Sequence, residues 1–302
     1  MLASRPRSWN NPAVSPIEEN AEDHSPAEAA WSDQEQAESP EDELLDQAWE
    51  ALDAGDAKRA LSRLLQLDED WPERWIPEAL ARLELGELRR ARAVLAQAEG
   101  FEDLGEQPDY LWAKAQLLLG EWRFSEAREH LERLLAQERS ASALERLSLA
   151  HEMEGDFEAA ERLLDEAAAL DPTLAHAPRL SAEAFEGEVD AAVRALPPEF
   201  QRALQGCEVL IDPVPSAWMM DPGDPASTPP DLLGLFVGAP NTEREASESA
   251  ELPPRIFLFQ RNIERGAKDA AGLREEVRVT LYHEIGHLLG FDEDGVADMG
   301  LE

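Results

Sequence analysis

The feature that most constrains the fold of this chain is a periodic apolar stripe near its C-terminus. Its members are spaced by four, four, four and three residues: Leu273, Val277, Leu281, Ile285 and Leu288. That spacing is typical of an amphipathic helix whose apolar side packs against a core. Gly290 follows directly after the last apolar pair, where a residue in the left-handed conformation commonly ends a helix. The sequence therefore predicts a helix with one buried face that turns at Gly290.

The same helix carries the pentapeptide His283-Glu284-Ile285-Gly286-His287. Residues four apart lie on one face of a helix, so both imidazoles can reach a single ion. Zn²⁺ suits histidine nitrogens, and a catalytic zinc keeps three protein ligands with water in the fourth position. Glu284 is rotated by about 100° from His283, which places its carboxylate beside that water as the candidate general base. The alternative interpretation is a purely structural pair of histidines.

Three acidic residues after the glycine turn offer a third ligand: Asp292, Glu293 and Asp294. We predict Glu293, because it lies ten residues after His283, the offset at which longer zinc-binding motifs place their third ligand. The usual residue at that position is histidine, and the choice among the three acidic residues stays open. The expected cofactor is one Zn²⁺ per chain, bound by His283, His287 and Glu293.

Charge and cysteine content restrict the partners and the compartment. The chain has 27 Lys and Arg against 65 Asp and Glu, a formal net charge of −38. We expect no nucleic-acid partner, because no basic face is available for phosphates, and the acidic field would repel anionic membranes. Cys207 is the single cysteine, so no intrachain disulfide can form, and no apolar run is long enough to span a bilayer. These features predict a cytoplasmic protein.

Residues 1–40 are predicted to be a disordered acidic tail. They are rich in Pro, Ser, Ala, Glu and Asp and have no sustained period, so they offer too little apolar surface to fold. Residues 41–178 are instead rich in Ala and Leu with helical periodicity. Within them a glycine followed by an acidic residue recurs at separations of 31, 34 and 35, at Gly55, Gly86, Gly120 and Gly155.

Small residues keep fixed distances from these glycines. Seven positions earlier stand Ala48, Ala79, Ala113 and Ser148, and five positions later Ala60, Ala91 and Ala160, while the third copy has Ala127 two places late. Small residues at matched points allow helices to approach closely, so we predict a helical-hairpin solenoid. Its period resembles the tetratricopeptide repeat of about 34 residues. That resemblance implies a concave face for protein partners; the alternative is that the helices only stabilise the C-terminal region.

Residues 183–302 predict a small α+β domain. A helix from Phe185 to Leu204 is interrupted at Leu196-Pro197-Pro198, and three strands are expected, at Glu208 to Asp212, Leu232 to Gly238 and Arg255 to Gln260. The helix with the two histidines is expected to follow Gly272. The predicted fold class is therefore an N-terminal α-helical solenoid followed by an α+β domain.

Motifs along this C-terminal region resemble those of a known family. They include Leu233-Gly-Leu-Phe-Val-Gly-Ala-Pro, Leu252-Pro-Pro-Arg-Ile-Phe-Leu-Phe and the run from Glu275 to Gly290. In these motifs residues 183–302 resemble the small bacterial zincin-like, or minimal, metallopeptidases. The resemblance implies a zinc-dependent fold with the metal on a helix above a sheet, and an acidic third ligand at the position of Glu293. It implies no particular substrate.

These observations predict a zinc metalloendopeptidase whose helical repeats recruit protein substrates or partners. The alternative is an interaction protein in which the zincin-like domain is inert or binds metal structurally, although a structural zinc has no use for Glu284. Asp298 or Glu302 is expected to orient the histidines. Arg244 and Tyr282 are candidates for stabilising the oxyanion, with a surface ion pair and core packing as their alternatives.

Overall fold

The computed structural model describes residues 39–176, 179–221, 223, 225–240, 253–292 and 295. The chain divides into two compact units, one up to Ala113 and one from Lys114 onward. The predicted disordered tail lies outside the described residues except for Ser39 and Pro40, which begin the first helix. The predicted domain boundaries, 41–178 and 183–302, stay predictions. None of the helices in the described ranges is both long and apolar enough to cross a lipid bilayer.

The first unit is built from short helices joined by tight turns. They are α1 (Pro40–Asp53), α2 (Ala57–Leu64), α3 (Trp75–Glu84), α4 (Leu88–Ala98), α5 (Glu102–Gly105) and the first part of α6 (Pro108–Gly120). α1 begins with a capping box, in which the Ser39 hydroxyl and the Asp42 carboxylate each accept from the other residue's amide. α1 packs on α2 and α3 on α4, which gives two successive helical hairpins.

The second unit opens with three more helices of the same kind: α7 (Phe124–Gln137), α8 (Ala141–Met153) and α9 (Phe157–Leu170). α7 packs on α8 and α8 on α9. Leu118 and Leu119 at the end of α6 share a buried cluster with Ala127 and Ala150. The region is helical as the sequence predicts, and its likeness to tetratricopeptide repeats stays a prediction.

Four helix-closing turns have the same geometry, and one of them lies where the sequence analysis did not place it. The turn residue has a positive φ at Gly55 (73°), Gly86 (72°), Trp122 (60°) and Gly155 (83°). In each turn the amide of the next residue donates to a carbonyl five residues earlier, as Arg123 does to Leu118. Gly120 is instead the last residue of α6. The predicted third copy was therefore wrong by two residues, and from Trp122 its small residues, Ala115 and Ala127, fall into register with the others.

The rest of the second unit is a small sheet with helices packed on it. The elements are α10 (Ala182–Ala195), α11 (Pro198–Ala203), β1 (Glu208–Asp212), β2 (Gly234–Val237), β3 (Arg255–Phe259), α12 (Gln260–Gly266) and α13 (Ala270–Leu289). β3 is central, with β1 parallel and β2 antiparallel to it. The three predicted strands are present, but Gln260 begins α12, a helix that the sequence analysis missed.

The predicted apolar stripe of α13 forms the core of this region. Each of its five members is at most 2% exposed, and they pack with Phe185 and Val189 of α10 and with Ile256 and Leu258 of β3. The Asp269 carboxylate accepts from the first amides of α13 and caps it, so the helix begins slightly before the predicted point. This packing fixes which face of α13 is left for the polar side chains.

Candidate functional site

The two histidines of α13 point to one place on the helix surface. His283 Nε2 and His287 Nε2 are 3.1 Å apart, and the two rings are nearly perpendicular, with centroids 4.8 Å apart and an interplanar angle of 77°. Both side chains are partly exposed, because the opposite face of the helix is occupied by the apolar stripe. The i, i+4 spacing therefore gives two converging ring nitrogens beside solvent.

The turn after α13 orients the second histidine. Gly290 has a φ of +95°, and the Phe291 amide donates to the Gly286 carbonyl, which closes the helix. The Phe291 carbonyl oxygen then lies 3.0 Å from His287 Nδ1. Because a carbonyl only accepts, Nδ1 holds the proton and Nε2 keeps its lone pair. A backbone carbonyl thus orients His287. Asp298 and Glu302, which we predicted to orient the histidines, lie outside the described residues, and that prediction stays a prediction.

Glu284 is buried between α13 and β2. Glu284 is only 5% exposed. β2 passes so close to it that a Cβ added to Gly234 would lie 2.9 Å from both Cγ and Oε1 of Glu284. The same Cβ would lie 2.8 Å from Thr280 Cγ2. Only glycine fits at position 234 without displacement, so the strand itself fixes the carboxylate beside the histidines.

A cleft of about 490 Å³ opens over these groups. Its lining includes His283, Glu284 and His287 together with residues of β2 and of the segment before it. Asp292 also lines the cleft, while the predicted third ligand Glu293 and its neighbour Asp294 lie outside the described residues. The structure therefore brings together the two histidines, the glutamate and one of the three acidic candidates.

Of the two candidate oxyanion donors, Tyr282 is described and Arg244 is not. The Tyr282 ring packs edge-on against Phe200, with centroids 5.3 Å apart, and the Arg278 guanidinium lies 5.3 Å from its centroid. Tyr282 is not among the residues lining the cleft. Tyr282 therefore packs against its neighbours in this structure, which agrees with core packing, the alternative to a role in stabilising the oxyanion.

A second group of metal-ligand side chains lies on α9 and just after it. In the part of the chain that the structure describes, one ligand atom each from Glu161, Asp165 and His176 come within 4.8 Å of one another. Glu161 already accepts a hydrogen bond from Arg179 Nε at 3.0 Å, and Asp165 is exposed. Their sequence spacing matches no metal motif, so sequence reasoning did not single them out.

Comparison with known proteins supports the assignment of the C-terminal region. Residues 204–301 match the family model described as zincin-like metallopeptidase. The match includes all three strands, α12 and α13, and hence both histidines and Glu284. No curated protein matches the chain. Residues 204–301 are therefore a zincin-like metallopeptidase domain, and the helical region before them lies outside the match.

Proposed function

We propose, from the zincin-like domain at residues 204–301, that this protein is a zinc-dependent endopeptidase. The observation that carries the proposal is the convergence of His283 Nε2 and His287 Nε2, 3.1 Å apart, beside the buried carboxylate of Glu284. These three groups face a cleft large enough for a stretch of polypeptide. The arrangement supplies both metal ligands and a base, which a purely structural site does not need.

The donor set fits zinc. Nitrogen ligands at 2.0–2.1 Å on a tetrahedral ion lie about 3.3 Å from each other, close to the 3.1 Å between the two Nε2 atoms. The Phe291 carbonyl leaves the lone pair of His287 Nε2 available for an ion. We propose Glu293 as the third protein ligand, with Asp292 and Asp294 as alternatives. Bound there, zinc would polarise a peptide carbonyl and lower the pKa of a coordinated water to about 7.

Glu284 is the proposed general base. Burial against Gly234 gives its carboxylate one position, on the cleft side of α13. From there it takes the proton of the attacking water and delivers it to the leaving amine. General acid–base catalysis of this kind contributes about 10²- to 10⁴-fold to a rate, so the loss of this one proton carrier should nearly abolish turnover.

β2 supplies a place for an extended substrate. Among the described strands it pairs only with β3, through the register from Gly234 opposite Leu258 to Val237 opposite Arg255. Leu235 and Phe236 of this strand line the cleft. An extended peptide can add to the edge of a strand through main-chain hydrogen bonds, which would place a peptide bond near Glu284. We therefore propose protein or peptide substrates in extended conformation.

The proposed partners follow from charge and from the helical region. A net charge of −38 supports neither nucleic acid nor anionic membranes as partners. We propose that the helical region before the domain binds protein partners or substrates. A cytoplasmic location stays a prediction.

The proposal is tested by pairing metal content with cleavage. We expect about one zinc per chain by mass spectrometry in the wild type and less in His283→Ala. We expect the wild type to cleave an unfolded protein such as casein, and Glu284→Gln to keep its zinc but lose cleavage by about 10²-fold or more. Glu276→Gln is the matched control, because Glu276 is a half-buried glutamate of the same helix outside the cleft. Zinc binding without any cleavage that depends on Glu284 would support the alternative, an interaction protein with a structural metal.

A further inference from the structure

The turn after α6 contains a residue that its local geometry disfavours. Three of the four equivalent turns have glycine in the left-handed position, whereas the third has Trp122 with a φ of +60°. For a residue with a side chain this conformation costs about 1–2 kcal/mol. Strain of this kind persists where the surroundings require it, often next to a functional site. The contacts of Trp122 should therefore show why a tryptophan occupies this strained position.

Trp122, in the turn after α6, and Arg146 of α8 bind the segment before β2. The Trp122 indole Nε1 donates to the backbone carbonyl of Thr228 at 3.0 Å. Arg146 of α8, which is 6% exposed, pairs through Nη1 with the Asp231 carboxylate at 3.0 Å. The turn after α6 and helix α8 thus contact the segment 225–232, which we call the wall segment, at two points three residues apart.

Within the domain, α12 also holds the wall segment. Asn262 of α12, which is 2% exposed, donates through Nδ2 to the carbonyls of Pro230 at 2.9 Å and Leu232 at 2.8 Å. Ser227 and Leu232 of the wall segment line the cleft. Immediately after it the chain enters β2 at Gly234, the residue pressed against Glu284. A shift of the wall segment would therefore change the shape of the cleft and, through Gly234, the position of the proposed base.

A buried charge network also joins α8 to α12 of the domain. Arg179 donates to Glu152 of α8 at 2.8 Å and to Glu264 of α12 at 3.2 Å, and Arg265 of α12 contacts the Glu152 carboxylate. Glu152 and Glu264 are almost completely buried. Burial lowers the pKa of Arg265 to about 10, so it is still charged at neutral pH. Separating these helices would leave buried charges unpaired, which is strongly unfavourable.

The geometry points to a positioning role for Trp122 and Arg146: through the wall segment they set the substrate cleft of the domain. This inference rests on the proposed peptidase function and deepens it. The turn after α6 and helix α8 then help to form the cleft. This role is separate from any binding of a partner by the helical region. Neither residue is a proposed metal ligand or the proposed base, so we expect their effect on substrate placement and not on metal binding.

The test uses two substitutions of Trp122 in the full chain. Trp122→Phe keeps a ring and the strained turn but removes the N–H donor; Trp122→Gly removes the ring and gives the turn the residue that its three counterparts have. One neutral hydrogen bond is worth about a three- to tenfold change in an equilibrium. In both variants we expect hydrogen exchange across residues 225–237 to become about three- to tenfold faster, kcat/KM for an unfolded protein to fall by a similar factor, and zinc content to stay unchanged.

Arg146→Met provides a second variant and Arg128→Met its matched control. Arg128 of α7 also forms a close ion pair, but its partner is Glu154 at 2.6 Å, directly after α8 and not in the wall segment. We expect faster exchange in the wall segment for Arg146→Met and wild-type exchange there for Arg128→Met. A role confined to the turn predicts instead that Trp122→Gly behaves like the wild type.

The outcomes separate this inference from the proposed function. Wild-type exchange and kinetics in both Trp122 variants would overturn the positioning role while leaving the peptidase intact. If the wild type itself does not cleave, the proposed function fails, and hydrogen exchange alone still decides whether Trp122 and Arg146 hold the wall segment. Equal acceleration of exchange over the whole chain would also count against the inference, because the predicted effect is local.

Discussion

Replacing Gly234 by alanine tests the close approach of β2 to the proposed base. The added Cβ would meet Thr280 Cγ2 at 2.8 Å and Glu284 Cγ and Oε1 at 2.9 Å, whereas ordinary contacts begin near 3.4 Å. The neighbours must therefore retreat by about half an ångström. Thr280 is β-branched and stiff, so the displacement falls mainly on Glu284 or on the strand.

The expected effect on stability is moderate and the effect on catalysis is larger. Overpacking a tight site costs about 1–3 kcal/mol, which is partly offset by about 0.4–1 kcal/mol because alanine restricts the unfolded chain. A misplacement of about 1 Å in a catalytic group can cost about 10²-fold in rate. For the smaller shift in Gly234→Ala we expect kcat to fall by roughly tenfold, with zinc content unchanged.

The assay is steady-state cleavage of an unfolded protein, with the melting temperature and zinc content measured on the same samples. Gly187→Ala is the matched control, because Gly187 lies within α10 and a Cβ there would meet nothing within 4 Å. We expect Gly187→Ala to keep full activity and to be slightly more stable, since glycine inside a helix is unfavourable. Wild-type kcat and melting temperature in Gly234→Ala would refute the argument that this strand positions Glu284.

Three further predictions concern the support of the site. Glu264→Gln removes a fully buried partner of Arg179, so urea denaturation should show a loss of about 3–5 kcal/mol; a loss below 1 kcal/mol would contradict the buried network. Gly290→Ala places a side chain at a φ of +95°, so we expect about 1 kcal/mol lower stability and faster zinc loss to a chelator; unchanged zinc retention would argue against orientation of His287 by the turn. Backbone amides hold the pKa of the Asp269 carboxylate below its ordinary value of 3.8. The charged cap should therefore stabilise the folded protein fully at pH values above 3.8 and progressively less as the pH falls below that value. Melting curves of Asp269→Ala should therefore differ from those of the wild type near neutrality and converge with them in acid, and an equal difference at all pH values would be inconsistent with a charged cap.

The helix with the site could be predicted because its signals are local. The apolar stripe, the histidine spacing and Gly290 each follow from helix geometry, and the structure confirms the helix and its left-handed end. The three strands could likewise be placed from short apolar runs. α12 was missed because Gln260 directly continues a strand, without the glycine or proline that would mark a boundary in the sequence.

The contacts that complete the site could not be predicted, because they join distant parts of the chain. A backbone carbonyl such as that of Phe291 leaves no trace in the sequence, and nothing local indicates that Gly234 faces Glu284. Trp122 misled the repeat alignment because glycine is the residue expected in a left-handed turn. Its indole contacts Thr228, which lies more than a hundred residues later in the chain. Only the folded structure therefore shows why a tryptophan stands in this turn.

The most direct test of the central claim is the location of zinc in crystals of the zinc-loaded protein by anomalous scattering. We predict one ion bonded to His283 Nε2, His287 Nε2 and one carboxylate from residues 292–294, with water in the fourth position. An ion held by four protein side chains, or one found instead at Glu161, Asp165 and His176, would contradict the account of this protein as a zinc peptidase.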